Sequence, residues 1–508
     1  MKHIDRRTVL AGALTGLAAI AARAAPSSSA ARLTLRPDLT LNRLPNSYNG
    51  FSIETATLEN PDVYHPANTS MVSLFRELSP NGVLRLGGNS SEFCWWKADE
   101  RSQRPEIHVE GHGRTDNWMP QKFHAITPRA IDNLRGFLDA CGWTCIYGLN
   151  FGTGSPERDA AEAAYVARAL GSRLRYFQIG NEPDFYRAEN NLLRPRGWDF
   201  PDYLSEWMAI AHAVLEAVPS ARFGGPDVGS SADWVVRFGN EASKLLEGRL
   251  LELTGHYYAE GPPDSPQANI ENLLAPDPRI AERMDAIMPV ARAHQLGFRM
   301  AEGNSCYRGG KAGMSNALAG ALWGMDYMLD MGARGCQGIN FHGGGGSVIS
   351  SALGDKLPGA RDARDLEIAR LGTFYSPIAG NREEGYSARP LFQAMKAVEL
   401  LADSKLVGTE FDASGANATA YAARTRQGWR VALVNKDAHR DLTVNVALPR
   451  DTPRDGRISR LTGPSLDAID GIKLEQGGVH ARRGKVVVEL PRASAAVMCF
   501  DIDDIDEA

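Results

Sequence analysis

The feature that most constrains the fold is a repeated alternation of short apolar strands with longer helical stretches between about residues 42 and 404. Such alternation is typical of a parallel sheet, because each strand needs a crossover before the next parallel strand can begin. Eight strands are predicted at 50–54, 83–88, 144–151, 174–180, 221–228, 253–258, 298–303 and 337–342. Helices are predicted at 130–141, 160–170, 201–218, 281–294, 315–331 and 390–402.

Eight strand–helix units over this length predict an α/β fold of the (β/α)₈ TIM-barrel type at 42–404. A doubly wound open sheet is the alternative, but it usually carries a GxGxxG turn that opens an early helix, and the sequence has none. From about residue 405, short strands follow one another with turn residues and no long helix, which predicts an antiparallel β-sandwich at 405–508. An alternating strand within 25–41, ARLTLR, could pair with that sheet.

The first 24 residues have the pattern of an export signal. Arg6 and Arg7 precede a mildly apolar run that ends at an A-x-A cleavage pattern. This pattern predicts a twin-arginine signal and a periplasmic or secreted protein. The run is too short and too rich in alanine and glycine for a membrane anchor, and no later stretch reaches about 18 apolar residues. We therefore expect no membrane partner for the mature protein.

Charge and cysteine content exclude several other classes. The chain has 56 basic and 61 acidic residues, a net charge of −5, so nucleic acid is not an expected partner. The six cysteines show no paired CxxC spacing, and the simplest interpretation is buried small apolar side chains, with a disulfide left open. We predict no cofactor and no metal. His256 and His342 end two strands and are interpreted as hydrogen-bonding groups, since no third ligand accompanies them.

Two glutamates occupy the positions where a barrel of this type carries its chemistry. Glu182 follows the fourth strand in QIGNEP, and Glu302 ends the seventh in MAE. Active sites of such barrels form at the carboxyl ends of the strands. Two carboxyl groups facing each other there suit glycoside hydrolysis, in which one protonates the leaving oxygen and the other attacks the anomeric carbon or activates water. Either glutamate alone could be an ordinary charge at a helix start or in a loop.

The flanking segments add a resemblance. Asn-Glu-Pro after strand four with a glutamate after strand seven resembles the clan A glycoside hydrolases. Within that clan, the barrel from about 45 to 400 resembles family 79, which contains β-glucuronidases and heparanases. The matching segments are GFSIE at 50–54, VLRLGGNSSEFCWW at 83–96, QIGNEPDFY at 178–186, AEGNSCYRGGKAGMSNALAGALW at 301–323 and INFHGGGG at 339–346. The resemblance implies a retaining mechanism with Glu182 as acid/base and Glu302 as nucleophile, and with Asn181 bound to the sugar 2-hydroxyl.

The same resemblance implies a loop after the nucleophile that binds the sugar carboxylate. Tyr307 and Gly309 match the family pattern, whereas Arg308 stands where heparanases tend to have glycine. The heparanase tyrosine that follows strand eight has no counterpart at 343–347, and Tyr375 is predicted to replace it. Backbone N–H groups and hydroxyls can hold an anion without a full counter-charge. Arg308 and Lys311 would add positive charge to the loop.

Other strand ends supply further candidates for sugar contacts. Glu54 ends strand one and Asn89 follows strand two, and both could bind sugar hydroxyls. Tyr257 and Tyr258 end strand six, and one of them is predicted to hold the nucleophile ionised, unless both are core aromatics.

Two tryptophans follow strand two. Trp95 and Trp96 could line a subsite, because aromatic faces stack on sugar rings, or they could pack against a helix.

These observations leave three hypotheses, all with a carbohydrate as the partner. The first is an exported hydrolase that removes β-linked glucuronic acid from non-reducing ends. The second is an endo-acting, heparanase-like enzyme, which would need a basic cleft for sulfated chains. The arginine-rich segments 194–196 and 482–485 are short and argue against it. The third is a carbohydrate-binding barrel without turnover, against which the presence of both glutamates argues.

Overall fold

The computed structural model describes residues 29–109, 118–188 and 193–501. The predicted export signal at 1–24 therefore lies outside the described residues. The strands, numbered along the chain, are β1 Ser29–Leu44, β2 Asn49–Glu54, β3 Val83–Gly87, β4 Cys94–Trp96, β5 His124–Ile126, β6 Thr144–Leu149, β7 Leu174–Ile179, β8 Phe223–Val228, β9 Leu250–Glu260, β10 Gly297–Cys306, β11 Ile339–Gly343, β12 Ile378–Asn381, β13 Gly385–Ala388, β14 Ser404–Asp412, β15 Ala418–Arg424, β16 Gly428–Asn435, β17 Leu442–Ala447, β18 Asp455–Thr462, β19 Lys473–His480, β20 Lys485–Leu490 and β21 Ser494–Asp501.

The helices cover the outside of the barrel and part of its upper rim. They are α1 Thr69–Leu78, α2 Pro128–Cys141, α3 Pro156–Leu170, α4 Phe200–Ala217, α5 Ala232–Leu245, α6 Ile270–Leu274, α7 Pro278–Ala293, α8 Leu318–Arg334, α9 Gly346–Ala352, α10 Ala363–Arg370 and α11 Pro390–Glu399. Short 3₁₀ turns follow barrel strands at Thr55–Glu59, Asn89–Phe93 and Pro183–Phe185.

Eight strands close into a parallel barrel in the order β10-β11-β2-β3-β6-β7-β8-β9. All eight predicted strands belong to it, so the predicted barrel is confirmed. Two further small sheets, β4 with β5 and β12 with β13, lie in the loops at the carboxyl ends of the strands. These two sheets and five of the helices were not predicted from the sequence; the helices are α1, α5, α6, α9 and α10.

The second unit is a sheet of nine strands in the order β19-β18-β21-β16-β15-β14-β1-β17-β20. All neighbours in this order are antiparallel except β1 and β17, which pair in parallel. Side chains from strands near both ends of the order, Ile458 of β18 and Val488 of β20, share one hydrophobic core, as expected of the predicted sandwich. β1 lies between β14 and β17, so the beginning of the described chain is part of this unit.

The sheet packs against the barrel through its other face. Ala432 and Val434 of β16 and Val497 of β21 belong to the same core as the helices of the barrel. Lys436 and Asp326 add an ion pair across this boundary, at 2.5 Å. Burial of apolar area on both faces of β16 makes the two units a continuous structure.

Local sequence signals explain where the barrel helices begin and end. Thr127 caps α2 through its hydroxyl, which accepts from the backbone N–H of Ala130, and Pro128 fits the first helical turn. Gly142 ends the same helix in the left-handed conformation, with a φ of 84°. Two residues therefore separate the end of the helix from β6, the next strand of the barrel.

No helix in the described part of the chain is long and apolar enough to cross a membrane. All six cysteines lie within the described ranges and are buried as free thiols. This agrees with their interpretation as small apolar core residues.

Candidate active site

The carboxyl ends of the barrel strands bring Glu182 and Glu302 together. Glu182 follows β7, and Glu302 lies within β10. One carboxylate oxygen of each, with one nitrogen of His256, form a group of atoms within 4.8 Å of one another. The Glu302 side chain is only 7% exposed, whereas 19% of the Glu182 side chain reaches solvent. The two predicted carboxyls thus meet in one site, with Glu182 on the more open side.

Arg85 of β3 anchors Glu302 from below. It is wholly buried, and its guanidinium donates to Oε2 of Glu302 at 2.6 Å. The same guanidinium donates to Asp227, at the end of β8, and to Oδ1 of Asn181 at 2.8 Å. A buried arginine needs such partners, because an unpaired charge in the interior is costly. Arg85 thereby ties together four strands of the barrel.

His256 joins the two glutamates from the side of β9. Its Nδ1 lies 3.0 Å from Oε1 of Glu182 and 3.9 Å from Oε1 of Glu302, and its Nε2 lies 3.2 Å from Asp227. Burial lowers the pKa of His256, but the charges of Asp227 and Glu302 outweigh it and raise the pKa to about 10. The imidazole is therefore protonated at neutral pH.

The pKa values of the two glutamates shift in opposite directions. Burial raises the pKa of Glu182, and the nearby negative charge of Glu302 adds to this. Burial also acts to raise the pKa of Glu302, but His342, His256 and Arg85 hold it well below its usual range. Such a split favours the protonated form of Glu182 and the ionised form of Glu302.

Tyr258 provides the remaining partner of Glu302. Its hydroxyl donates to Oε1 at 2.8 Å, which favours the ionised carboxylate. Tyr257, one residue earlier, faces the helical layer, where its hydroxyl donates to Asp277. Of the two tyrosines that the sequence left open, the structure places only Tyr258 in contact with Glu302.

The predicted carboxylate-binding residues lie beside Tyr258. The Tyr258 ring centroid is 6.3 Å from that of Tyr307 and 6.3 Å from that of Tyr375. Gly309 has a φ of 87°, and a Cβ there would lie 2.4 Å from Leu357. Burial raises the pKa of Tyr375 well above its usual range, and the backbone of Gly309 counteracts this effect. The three tyrosines therefore line one wall beside Glu302.

The two cations of this loop do not act alike. Lys311 donates to the backbone carbonyls of Ser265 and Ala268, so its ammonium holds the preceding loop rather than facing the tyrosines. Arg308 stacks over Trp118, with its guanidinium carbon 3.6 Å from the ring centroid, and also lies 5.5 Å from the Tyr307 centroid.

Glu54 and Asn89 flank the site on the side of β2 and β3. The carboxylate of Glu54 accepts from the N–H and the hydroxyl of Ser90 and lies 3.4 Å from Nε2 of His342. Asn89 accepts from the amide of Asn181 at 3.1 Å through Oδ1. Each therefore contacts a neighbouring residue of the site, His342 or Asn181, rather than Glu182 or Glu302.

The two tryptophans that were considered for a subsite form part of the small sheet β4–β5. Trp96 packs on Tyr165 of α3, with ring centroids 5.0 Å apart, so it contacts a helix as the second interpretation required. Trp95 is half-buried in the same strand.

Sequence reasoning gave no role to several residues that hold the site together: Arg85, Gln178, Asp227 and Glu92. A charged residue within the apolar strand VLRLG was a usable signal, because a buried arginine implies a buried acidic partner. Nothing in the sequence identified which acid that partner is.

The cluster of Glu182, His256 and Glu302 also has the spacing of possible metal ligands. Arg85 and Tyr258 already donate to the two oxygens of Glu302, and the raised pKa of His256 keeps its imidazole protonated. A metal would have to displace these hydrogen bonds and a proton. The donor set therefore fits proton transfer better than metal binding.

A closed (β/α)₈ barrel, a β-sheet domain and a carboxyl pair with opposite pKa shifts at the strand ends define the glycoside hydrolase class. Comparison with known proteins agrees. No protein-family profile matches the chain. It is 23% identical over 399 residues to a β-glucuronidase from Aspergillus niger, covering 69% of this chain and 71% of that protein. It is 25% identical over 340 residues to a β-glucuronidase from Neurospora crassa, covering 60% of this chain and 58% of that protein.

Solved structures support the fold at lower identity. A 4-O-α-L-rhamnosyl-β-D-glucuronidase from Fusarium oxysporum superposes with a TM-score of 0.67 at 16% identity, covering 92% of this chain and 100% of that chain. A family 51 arabinofuranosidase from Xanthomonas axonopodis gives 0.65 at 16% identity, with coverages of 92% and 99%. Enzymes of different sugar specificity thus share this architecture, so the fold alone does not select the sugar.

Proposed function

We propose that this chain is a retaining glycoside hydrolase that releases β-linked glucuronic acid from the non-reducing ends of glucuronides or glucuronate-containing glycans. The observation that carries the proposal is the pair of Glu182 and Glu302, with oxygens within 4.8 Å and pKa values shifted in opposite directions. Retaining enzymes hold their carboxyl groups about 5–5.5 Å apart, whereas inverting enzymes need about 6.5–9.5 Å to admit a water.

In this mechanism Glu302 attacks the anomeric carbon while Glu182 donates its proton to the leaving oxygen. A covalent glycosyl-enzyme forms, and Glu182, now ionised, takes a proton from the water that hydrolyses it. Loss of the charge on Glu302 in the intermediate lowers the pKa of Glu182, which suits its change from acid to base. Asn181, oriented by Arg85 and Asn89, is proposed to hydrogen-bond the 2-hydroxyl.

The choice of glucuronate as the substrate rests on Tyr258, Tyr307 and Tyr375 and on the two curated relatives. The hydroxyl of Tyr258 donates to the nucleophile, and the rings of Tyr307 and Tyr375 each lie 6.3 Å from the ring of Tyr258. Hydroxyl donors of this kind can bind a carboxylate. The two curated relatives bear the name β-glucuronidase, which supports the same substrate class.

The test compares three substrates with purified protein. An aryl β-glucuronide should be cleaved, an aryl β-glucoside should be cleaved far more slowly, and sulfated heparan fragments should not be cut internally. Proton NMR during the first turnovers should show the β-anomer of glucuronic acid. Equal rates on both aryl glycosides would remove the glucuronate assignment, an initial α-anomer would remove retention, and internal cleavage would support the endo-acting alternative. Turnover of none of them would favour a binding protein.

Export is a separate proposal that rests on the sequence of residues 1–24. We propose that a twin-arginine signal directs the folded protein out of the cytoplasm and is removed. Replacing Arg6 and Arg7 by lysine should retain the uncleaved protein in the cytoplasm of a host with a twin-arginine system. Unchanged export of this variant would contradict the proposal.

A further inference from the structure

Glu92 is a buried carboxylate that connects three loops at the carboxyl ends of the barrel. It lies in the 3₁₀ turn after β3 and is only 2% exposed. Its Oε1 accepts from the backbone N–H of Asn181 at 2.5 Å, and its Oε2 accepts from the backbone N–H of Gly152. The hydroxyl of Thr153 donates to its backbone carbonyl at 2.5 Å. One side chain thus bridges the loops that follow β3, β6 and β7.

The bridge ends directly beside the acid/base glutamate. Asn181 precedes Glu182, whose backbone is left-handed, with φ 50° and ψ 49°. This conformation is strained for a residue other than glycine, and it persists only when its surroundings impose it. Two consecutive amide groups supply the constraint, since Asn181 donates to Glu92 and Glu182 donates to the carbonyl of Asp227 at 2.9 Å.

We propose that Glu92 is a positioning residue that holds the Asn181–Glu182 turn in the conformation needed for protonation of the leaving group. The inference rests on the proposed function, because it assigns a task in general acid catalysis. Glu92 does not contact the reacting atoms; it acts through the backbone of the turn. The ionised carboxylate accepts from the backbone N–H groups of Gly152 and Asn181. Protonation would make one of its oxygens a donor, so that one of these two hydrogen bonds would be lost.

The surroundings of Glu92 bring its pKa close to neutral pH. Burial raises its pKa to about 7, although hydrogen bonds from Tyr186, Gly152 and Asn181 and the charge of Arg194 oppose this. The other titratable groups whose electrostatic environment includes Glu92 are Asp159, Cys94 and Tyr203. The positive charge of Arg194 is fixed by Glu206 and by the carbonyls of Phe151 and Gly152.

The test is the leaving-group dependence of Glu92→Gln. Glutamine keeps one acceptor but presents an amide group to the second N–H, so one contact is lost. For phenyl β-glucuronide, which needs protonation, kcat/KM should fall about 10- to 100-fold, as for a lost hydrogen bond to a charged group. For 4-nitrophenyl β-glucuronide, which needs little protonation, it should fall less than about threefold. The acidic limb of the pH profile should also move to lower pH, because a titrating group is gone.

Glu162→Gln is the matched control. Glu162 is also buried with a pKa of about 7, and its carboxylate accepts from Tyr147 at 2.6 Å. The control should keep the wild-type ratio between the two substrates. If Glu92→Gln lowers both rates equally, or if Glu162→Gln changes the ratio as much, the positioning role is wrong and Glu92 only stabilises the fold.

Glu92→Asp covers the case in which the glutamine variant does not fold. Aspartate keeps the charge but has a shorter reach, so it should lower the phenyl rate more than the nitrophenyl rate, and an unchanged ratio would overturn the inference. Failure of the proposed function is recognised separately. In that case the wild-type protein would hydrolyse neither glucuronide.

Discussion

Tyr257 and Tyr258 are neighbours in β9 that donate to carboxylates on opposite sides of the barrel wall. Tyr258 donates to Glu302 in the site, at 2.8 Å, whereas Tyr257 donates to Asp277, the residue that caps α7. The alternation of side chains along a strand explains the difference, since successive residues point to opposite faces. Two adjacent residues of the same type therefore provide a matched pair of variants.

Tyr258→Phe should lower kcat/KM for an aryl glucuronide by about 10- to 150-fold, because a hydrogen bond to an ionised group contributes roughly 1.5–3 kcal/mol. The acidic limb of the pH profile should move to higher pH, because the pKa of Glu302 rises when it loses a donor that favours its ionised form. Tyr257→Phe should leave activity and profile unchanged and lower only thermal stability. Similar losses of activity in both variants would contradict the assigned contact.

Glu302→Gln should abolish turnover without unfolding the protein, because it removes the nucleophile and keeps the shape. Glu182→Ala should lower activity on phenyl glucuronide far more than on 4-nitrophenyl glucuronide, because only the former needs its leaving oxygen protonated. Steady-state kinetics with both substrates and circular dichroism of each variant measure this. Equal losses on the two substrates would remove the acid role of Glu182.

Arg85→Lys should lower kcat about 10- to 150-fold, which corresponds to the loss of a charge-assisted hydrogen bond in a buried site. Lysine keeps the charge but cannot reach Glu302, Asp227 and Asn181 at once with a planar group. The melting temperature should fall as well. Glu399→Gln, at a half-buried carboxyl that accepts from Asn49 at 2.6 Å, tests whether disruption of another polar contact has the same effect on activity.

The pH–activity profile should be bell-shaped. Activity requires Glu302 ionised and Glu182 protonated, so it falls at low pH as Glu302 gains a proton and at high pH as Glu182 loses one. Because the two groups interact, their pKa values belong to the pair, and protonation of Glu92, whose pKa is about 7, is proposed to add to the fall on the acidic side. A flat profile between about pH 4 and 8 would refute the assignment.

Stability should fall at alkaline pH through His256. Its pKa is raised from 6.5 to about 10 in the folded protein, so its contribution is complete below pH 6.5 and is lost as the pH rises through 10. Within that window one such group changes the free energy of unfolding by about 1.4 kcal/mol per pH unit. Urea unfolding at pH 7 and 9 should show a smaller loss in His256→Asn than in the wild type.

Tyr307→Phe should lower kcat/KM for an aryl glucuronide and barely change the weak rate on the aryl glucoside. The hydroxyl is proposed to bind the sugar carboxylate, which the glucoside lacks, and a site built for a polar group discriminates against analogues without it. The ratio of the two kcat/KM values is the measurement. An equal effect on both substrates would place Tyr307 outside the carboxylate site.

The periodicity of the sequence was sufficient to predict the barrel, because eight apolar strands and their crossovers leave a local record in hydrophobic pattern and turn residues. The small sheet of β4 and β5 was not predictable in this way. Its two strands, at 94–96 and 124–126, have three residues each. Three residues are too few to establish a period, and the pairing joins two segments that are distant in the chain.

The sequence also determined which glutamates to examine, since the ends of predicted strands restrict the acidic residues that can meet at one edge of a barrel. Only the tertiary structure decided what surrounds them. That Arg85 donates to Glu302, that Tyr258 rather than Tyr257 does so, and that Lys311 binds loop carbonyls are consequences of side-chain direction and of contacts between residues far apart in the chain. Local pattern records which face a residue occupies, but the partner that neutralises a buried charge is chosen by the packing of distant strands.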